Sequence, residues 1–519
     1  MTHTRRYFDN AATSYPKPPA VACAVQNYMT RLGAPARGSY REALRAGEIV
    51  ERCRDRINTL INAGGPQRVV FCSNATDALN LAIKGVLRAA LTTRKGPVRV
   101  VTTTTEHNSV LRPLKTVAAE HTRLSIDYVP CDPLTGMVDA GAVLRAVQRT
   151  SPDLLVVCHA SNVTGAIQPV EEIGVAVKSS RPGTIYLIDA AQSIGRVPID
   201  MRRCCADMLA FPGHKALLGP QGTGGLAFAE GAERSIPTLK EGGTGARSEL
   251  EFHPQELPEK FEPGSHNVAG IAGLLAAMEW LVAQKQGTAT GVDAIRFREL
   301  RLIERLIDGL SQIGGLTLFG PRDAAKRIGV FSFTHRTVPP QEIARRLECD
   351  HGIVARAGLH CAPLMHTAIG TYRPVRRTAR SASASARSSR SQTQPRPSPQ
   401  SRAPATRCEC PRSRRPSPQL LAKRQNAASR RRCLRERHVN SDVDRQRRDV
   451  YTRWKTVCVR STSPPSGNMC VLCACISSSN RCSSSIDRHL SGIPSLPDIG
   501  SVHTCSSAST SFASSTISR

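Results

Sequence analysis

The sequence has no long hydrophobic run, no paired cysteine framework and few aromatic side chains, and each shortage removes a class of protein. Its most apolar stretch, VAGIAGLLAAMEWLVA at 268–283, is shorter than the ~20 residues a membrane-spanning helix needs and contains Glu279, so it reads as a buried helix of a soluble protein. The N-terminal MTHTRRYFDNAATSYPKP lacks the apolar core of a signal peptide. Nine of the 18 cysteines precede residue 373 without paired spacing, which fits a reduced, cytoplasmic chain better than a disulfide scaffold. CVLCAC at 470–475 has no second ligand pair at finger-like spacing, so no metal site is expected.

Acidic residues are scarce at one end only. Residues 373–519 hold 28 Lys+Arg against 7 Asp+Glu, a balance of +21 out of +30, which leaves +9 for residues 1–372. Beyond Tyr372 the hydrophobic periodicity disappears into Ser, Arg, Pro and Ala with almost no aromatics. Such a segment cannot bury enough apolar surface to offset its chain entropy and is expected to be disordered.

Between about 66 and 230, short β-branched runs alternate with helical periods. QRVVFC (67–72), PVRVVT (97–102), DLLVVCHA (153–160), TIYLIDA (184–190) and DMLAFP (207–212) read as strands, and the segment after Cys72 repeats apolar residues at helical steps from Leu79 to Leu87. Runs without polar alternation predict strands buried on both faces, hence an α/β fold with a mostly parallel sheet. Residues 281–372 read as a smaller α+β piece, with a charged helix at 296–310, strands near LTLFG and GVFSF, and a helix at PQEIARRLE. The expected organisation is an N-terminal segment (1–20) packing with the small domain, a large domain (21–280), a small domain (281–372) and the tail (373–519).

Ligands of open α/β sheets gather at the carboxyl ends of the strands. The polar residues just past each run are Asn74 and Thr76, His107, Asn162, Asp189 and Gln192, and His214 with Lys215, the last inside FPGHKALLGPQGTGG (211–225). A lysine, a carboxylate, an imidazole and an amide in one pocket, beside a helix start, suit an anionic aromatic aldehyde. Pyridoxal phosphate (PLP) needs all of these: a lysine for its aldehyde and a carboxylate to keep its pyridine nitrogen protonated. The helix start at Asn74, Ala75 and Thr76 offers amides and a dipole to the phosphate.

FDNAAT (8–13), NATDALN (74–80), TEHNSVLRPL (105–114), HASNVTGAIQPVEEIG (159–174), IDAAQSIGRVPID (188–200), FPGHKALLGPQGTGG and ARAGLHCAPLMH (355–366) together resemble the class V aminotransferase superfamily, from about residue 6 to 371. Within it they resemble group II cysteine desulfurases and selenocysteine lyases. The resemblance implies a fold type I PLP enzyme working as a homodimer. It implies that Lys215 carries the cofactor and moves the substrate's Cα proton, Asp189 pairs with the pyridinium and His107 stacks on the ring. Asn162 and Gln192 would contact the ring hydroxyl and the reacting region. Asn74, Ala75, Thr76 and His214 would hold the phosphate, and Ser265 would reach the partner subunit's phosphate. Asn10, Asn162 and Arg356 would meet the substrate, L-cysteine or L-selenocysteine. Cys361 would take the substrate sulfur as a persulfide for an acceptor protein, with Arg356 and His360 favouring its thiolate. An aminotransferase or another lyase on the same scaffold would not need Cys361.

Two departures stand out. Pro212 occupies a place where the family puts a small hydroxyl residue on the phosphate, and proline offers neither hydroxyl nor amide hydrogen. After HCAPLMHTAIGT the family continues into a strand, a carboxylate-gripping arginine and a final helix, whereas this chain reads YRPVRRTARSASASARSSR. The small domain is therefore expected to be incomplete, with an unpaired strand edge. A basic arm for nucleic acid is one reading of the tail. Translation out of frame from near Tyr372 fits better, because the tail begins inside an element the fold needs. A Gly-Val repeat read one base late gives Ala-Ser-Ala, as at 382–385. The resulting product would be an impaired protein that at most binds PLP.

Overall fold

The computed structural model describes residues 5–35, 38–245 and 247–373, together with the backbone of 469–473. The chain opens with β1 (Arg6–Tyr7), α1 (Pro19–Arg31) and α2 (Arg41–Ile61). An alternating series follows: β2 (Val69–Cys72), α3 (Ala75–Thr93), β3 (Val98–Thr103), α4 (Asn108–Glu120), β4 (Leu124–Val129), α5 (Ala140–Thr150), β5 (Leu154–Cys158), α6 (Val170–Ser180) and β6 (Ile185–Asp189). The strands β7 (Met208–Pro212) and β8 (Gly224–Phe228) complete it.

These strands form one sheet in the order β2-β8-β7-β6-β5-β3-β4. The pairs from β7 through β4 are parallel, and β8 runs antiparallel to both of its neighbours. The apolar runs explain the layering. Leu154 and Val156 face a core shared with α3 and α4, while Leu155 and Val157 face one shared with α2, α5 and α6. Successive side chains of a strand point to opposite faces, so a strand covered on both sides must be apolar throughout.

The apolar stretch noted above becomes α7 (Val268–Val282), packed against α1 and α2 with Ile271, Leu274, Met278 and Leu281 buried. Burying each such side chain contributes about 1.5–3 kcal/mol, which explains a helix apolar on nearly every face. Among the described residues no helix is long and apolar enough to cross a membrane.

The hairpin β9 (Lys285–Gln286) and β10 (Ala289–Thr290) leads into α8 (Gly291–Ser311), β11 (Leu316–Phe319), β12 (Val330–His335) and α9 (Pro340–His351). Then come β13 (Ile353–Val354), β14 (Arg356–Gly358), α10 (Pro363–Ala368) and, far downstream, β15 (Met469–Cys473). Ile303 and Ile307 of α8 pack with Leu318, Phe331 and Phe333 as a separate core, and β1 pairs in parallel with β13.

The second sheet has the order β11-β12-β15-β14, antiparallel throughout. The expected vacant place is therefore filled by the tail itself: Val471 is opposite Ser332 on one side and Arg356 on the other. This corrects the expectation of an unpaired edge. The backbone of Met469–Cys473 is extended rather than looped, and among the described residues no group of His, Cys, Asp or Glu is placed to hold a metal ion. The remaining expectations for 373–519 lie outside the described residues.

Candidate active site

Asp189 closes β6, and Lys215 lies three residues past the end of the neighbouring β7. Both line a cavity of about 490 Å³ together with Asn74, Ala75, Thr76, His107, Asn162, Gln192, Pro212 and His214. Nine residues drawn from five separate motifs of the sequence thus converge with Pro212 on one place. A larger groove of about 1030 Å³, between α2, α6, α7 and α8, contains His159 but no lysine. The polar residues singled out in the sequence gather at the smaller one, whose volume is in the range of small-molecule sites.

Asp189 is buried, and burial raises its pKa, opposed by the Ala191 N–H (2.8 Å) and by the positive charge of Lys215. His107 caps the start of α4, its Nδ1 accepting the Ser109 N–H at 3.1 Å. Burial, then Lys215, Arg112 and Arg356, push its pKa down to about 4, so the ring is neutral at pH 7. A neutral flat ring suits stacking on a cofactor. Burial and the adjacent Lys215 and Lys17 likewise bring His214 to about 4.

Asn74 caps α3 by accepting the Asp77 N–H at 3.0 Å, and Thr76 Oγ1 is 2.7 Å from Ser109 Oγ, which joins the starts of α3 and α4. Gly224 lets β8 pass close to the Asn74 turn, since a Cβ there would lie 2.8 Å from Asn74 Cα. This is the steric reason for glycine in the GTGG segment.

The lysine loop is gripped from the N-terminal segment. The His214 carbonyl accepts from Lys17 Nζ (2.6 Å), Thr13 Oγ1 (3.1 Å) and the Ser14 N–H (3.2 Å), and the Lys215 carbonyl accepts from Ser14 Oγ (2.9 Å). Gln192 Nε2 donates to the Ala11 carbonyl at 2.9 Å. The sequence reading missed Thr13, Ser14 and Lys17, which lie about 200 positions from their partners. It also missed Glu106, inside a quoted motif: fully buried, it accepts from Thr103 Oγ1 (2.7 Å) and the Cys158 N–H (3.1 Å), and burial pushes it up to about 8.

Four named residues stand outside the cavity lining. Asn10 is buried in the N-terminal turn, donating to the Tyr7 carbonyl at 3.2 Å and accepting the Tyr15 N–H at 3.1 Å. Ser265 lines a neighbouring cavity of about 470 Å³ that shares Gly222 with the first. Arg356 holds Asp9 at 2.6 Å. Cys361 is exposed, on a loop whose backbone meets the cavity wall: Asn162 Nδ2 donates to the His360 carbonyl at 2.6 Å, and the Asn108 N–H to the Cys361 carbonyl at 2.7 Å. His360 is buried, and burial above all pushes its pKa to about 3, so it brings no positive charge to Cys361. That corrects its expected help to the thiolate.

Behind the Asn74 turn is a buried pair. Arg54 reaches Glu262 through Nη1 (2.8 Å) and Nη2 (3.1 Å), and the Phe71 N–H donates to the same carboxylate at 2.6 Å.

Residues 6–383 match the family described as aminotransferase class-V. The probable cysteine desulfurase of Methanothermobacter thermautotrophicus is 34% identical over 376 residues, covering 71% of this chain and 88% of that protein. The probable cysteine desulfurase of Pyrococcus abyssi is 33% identical over 368 residues, covering 70% and 87%. Among solved structures, the apo cysteine desulfurase of Thermococcus onnurineus superimposes with a TM-score of 0.63 at 32% identity, covering 70% of this chain and 87% of that one. The match takes in the seven-stranded sheet, every strand of the second sheet except β15, and every residue lining the lysine cavity: the chain belongs to the aminotransferase class-V family and is an enzyme of the cysteine desulfurase-like kind.

Proposed function

We propose that the protein converts L-cysteine to L-alanine and carries the released sulfur on Cys361, with PLP held by the large domain (21–280) and Cys361 by the small one (281–372). The observation that carries this reading is the convergence of Lys215, buried Asp189 and neutral His107 on one cavity whose wall is tied to the Cys361 loop. The family is PLP-dependent, and the donor set fits that group: a buried carboxylate, a lysine and a neutral ring on one side, hydroxyls and a helix start on the other. When bound, PLP supplies an electron sink for a carbanion at the substrate's Cα.

The roles of the chain's own residues follow. Lys215 holds the cofactor's aldehyde and then carries the Cα proton, and Asp189 keeps the pyridine nitrogen protonated. Asn74, Ala75, Thr76 and His214 would hold the phosphate, and His107 would stack on the ring. Asn162 and Gln192 would contact the ring hydroxyl and the reacting region. Arg356 meets the substrate carboxylate, for which it must leave Asp9, and Asn10 orders the N-terminal turn beside it. The Cys361 thiolate attacks the substrate sulfur. An S–S bond forms, the substrate's C–S bond breaks with its pair left on carbon, and protonation of that carbon leads to alanine with no outside oxidant or reductant. L-selenocysteine satisfies the same contacts. Ser265 beside its own cavity supports a homodimer in which each copy contributes to the other's phosphate site, and the free cysteines support a cytoplasmic setting with a thiol protein as sulfur acceptor.

The test is the absorbance of purified protein with PLP before and after L-cysteine. A Lys215-dependent band near ~420 nm that changes with cysteine, with alanine released, is expected of a lysine-bound PLP. Lys215→Ala abolishes the band, and Cys361→Ser keeps the band but loses the sulfur carried on protein. A band indifferent to cysteine would instead establish the second reading, a PLP-binding protein without turnover. Alanine release that persists in Cys361→Ser would point to another lyase or aminotransferase.

A further inference from the structure

We propose that Asn162 and the Asn108 N–H form a latch that positions the Cys361 loop against the active-site wall, so that the reach of the thiol is set from the pocket side. Calling that loop catalytic rests on the proposed function, whereas the latch is a mechanical claim tested without turnover.

The two ties act on consecutive carbonyls. Asn162 Nδ2 holds the carbonyl of His360 at 2.6 Å, and the amide of Asn108 holds that of Cys361 at 2.7 Å. Both donors belong to rigid structure at the cavity. Asn162 stands in the turn after β5, where Ser161 Oγ accepts the Val163 and Thr164 N–H groups, and it lines the cavity itself. Asn108 is the first residue of α4, directly after cavity-lining His107.

On the far side, the loop is anchored in α10. The His360 ring stacks on His366, with Nδ1 and Nε2 3.4 Å apart, and His366 Nδ1 is 2.9 Å from Thr371 Oγ1. Between these anchors His360 and Cys361 have φ of 49° and 59°. Two successive side-chain-bearing residues in the left-handed region are disfavoured, and such backbone persists only where its surroundings impose it. The latch is what imposes it. Asn162 has a second N–H and its Oδ1 besides the bond to His360, so the same side chain touches both the loop and whatever occupies the cavity.

Hydrogen–deuterium exchange of PLP-loaded protein, read by mass spectrometry over residues 356–368, tests this. Asn162→Asp keeps the shape but loses the donor. Asn108→Pro deletes the other donor at a helix position that tolerates proline, after a residue already extended at φ −74°, ψ 157° as proline requires. Asn108→Ala retains the N–H and serves as the control. Expected is exchange about tenfold faster across the loop in Asn162→Asp and Asn108→Pro, native exchange in Asn108→Ala, and no change over β5 and β6. Asn108→Pro should also lower kcat for sulfur transfer about tenfold with KM for cysteine and the PLP absorbance maximum unchanged, which a general loss of structure would not do. Native loop exchange in Asn108→Pro overturns the latch, even if Asn162→Asp misfolds. A native protein that forms no persulfide overturns the proposed function while the exchange result still decides the latch.

Discussion

Glu262 is the residue whose removal should cost the most outside the cavity. Its carboxylate accepts from Arg54 Nη1 and Nη2 and from the Phe71 N–H, and it lies 3.5 Å from His266 Nε2. Arg54 is 2% exposed and also donates to the Val69 carbonyl. Glu262→Ala leaves that guanidinium buried without a close carboxylate, its remaining acidic neighbour being exposed Glu51 at 3.5 Å. Breaking a buried pair on one side costs about 3–5 kcal/mol, or a drop in Tm of roughly 6–20 °C at ~2–4 °C per kcal/mol. The double variant Arg54→Met with Glu262→Leu removes both charges and should lose much less than the sum of the single changes, with a coupling of about 3 kcal/mol. Thermal melts of the four proteins at pH 7 measure the cycle. Because Phe71 precedes the Asn74 turn, Glu262→Ala should also release PLP faster, read as loss of the ~420 nm band on dilution. Additive single losses, or single variants within about 1 kcal/mol of native, would refute the reasoning.

Acid should weaken the fold in a defined window. Burial lowers His107, His159, His214 and His366 to about 4 and His360 to about 3, so the unfolded chain binds more protons below pH ~6.5. Stability is then lost as pH falls from 6.5 toward 4, and Tm against pH should show it. Glu106 acts in the opposite sense: with its pKa at about 8 in the fold, its contribution is present below pH ~4.5 and is lost as pH rises through 8. Glu106→Gln should therefore raise Tm at pH 9 relative to native and change it little at pH 5. Ending the chain at Arg373 removes β15 and exposes the edges of β12 and β14. That protein should aggregate or melt lower, whereas one ending at Ile476 should match the full chain in light scattering and Tm. Gly224→Ala should shift the Asn74 turn and weaken PLP binding at least tenfold in a titration, since its Cβ would meet backbone atoms within 3 Å.

The central strands were legible because β5, β6 and β7 are covered on both faces and have no polar residue to interrupt them. β4 was not, since at the sheet edge Ser125 and Asp127 break its apolar run. β8, written GGLAF, was hidden because its glycines serve close approach rather than strand propensity. The cavity residues were readable as polar positions just past each run. The grip of Thr13, Ser14 and Lys17 was not, since a hydroxyl bonded to a carbonyl 200 positions away leaves no local pattern. Asn162 was visible as a cavity residue, but its bond to His360 depends on how the second sheet docks. β15 was the least legible: MCVLC is a short apolar run in a setting whose composition promises no partner.

The place of β15 gives the protein an unusual timetable. During synthesis β12 and β14 emerge with facing edges, and the strand that joins them ends about 115 residues later, which at ~5–20 residues per second is roughly 6–23 s of ribosome time. Throughout that interval the nascent small domain presents two unpaired ladders to its neighbours. The yield of native protein is therefore set by what shields those ladders before Met469–Cys473 arrives, and a faster ribosome or a holding chaperone should raise it without altering the finished fold.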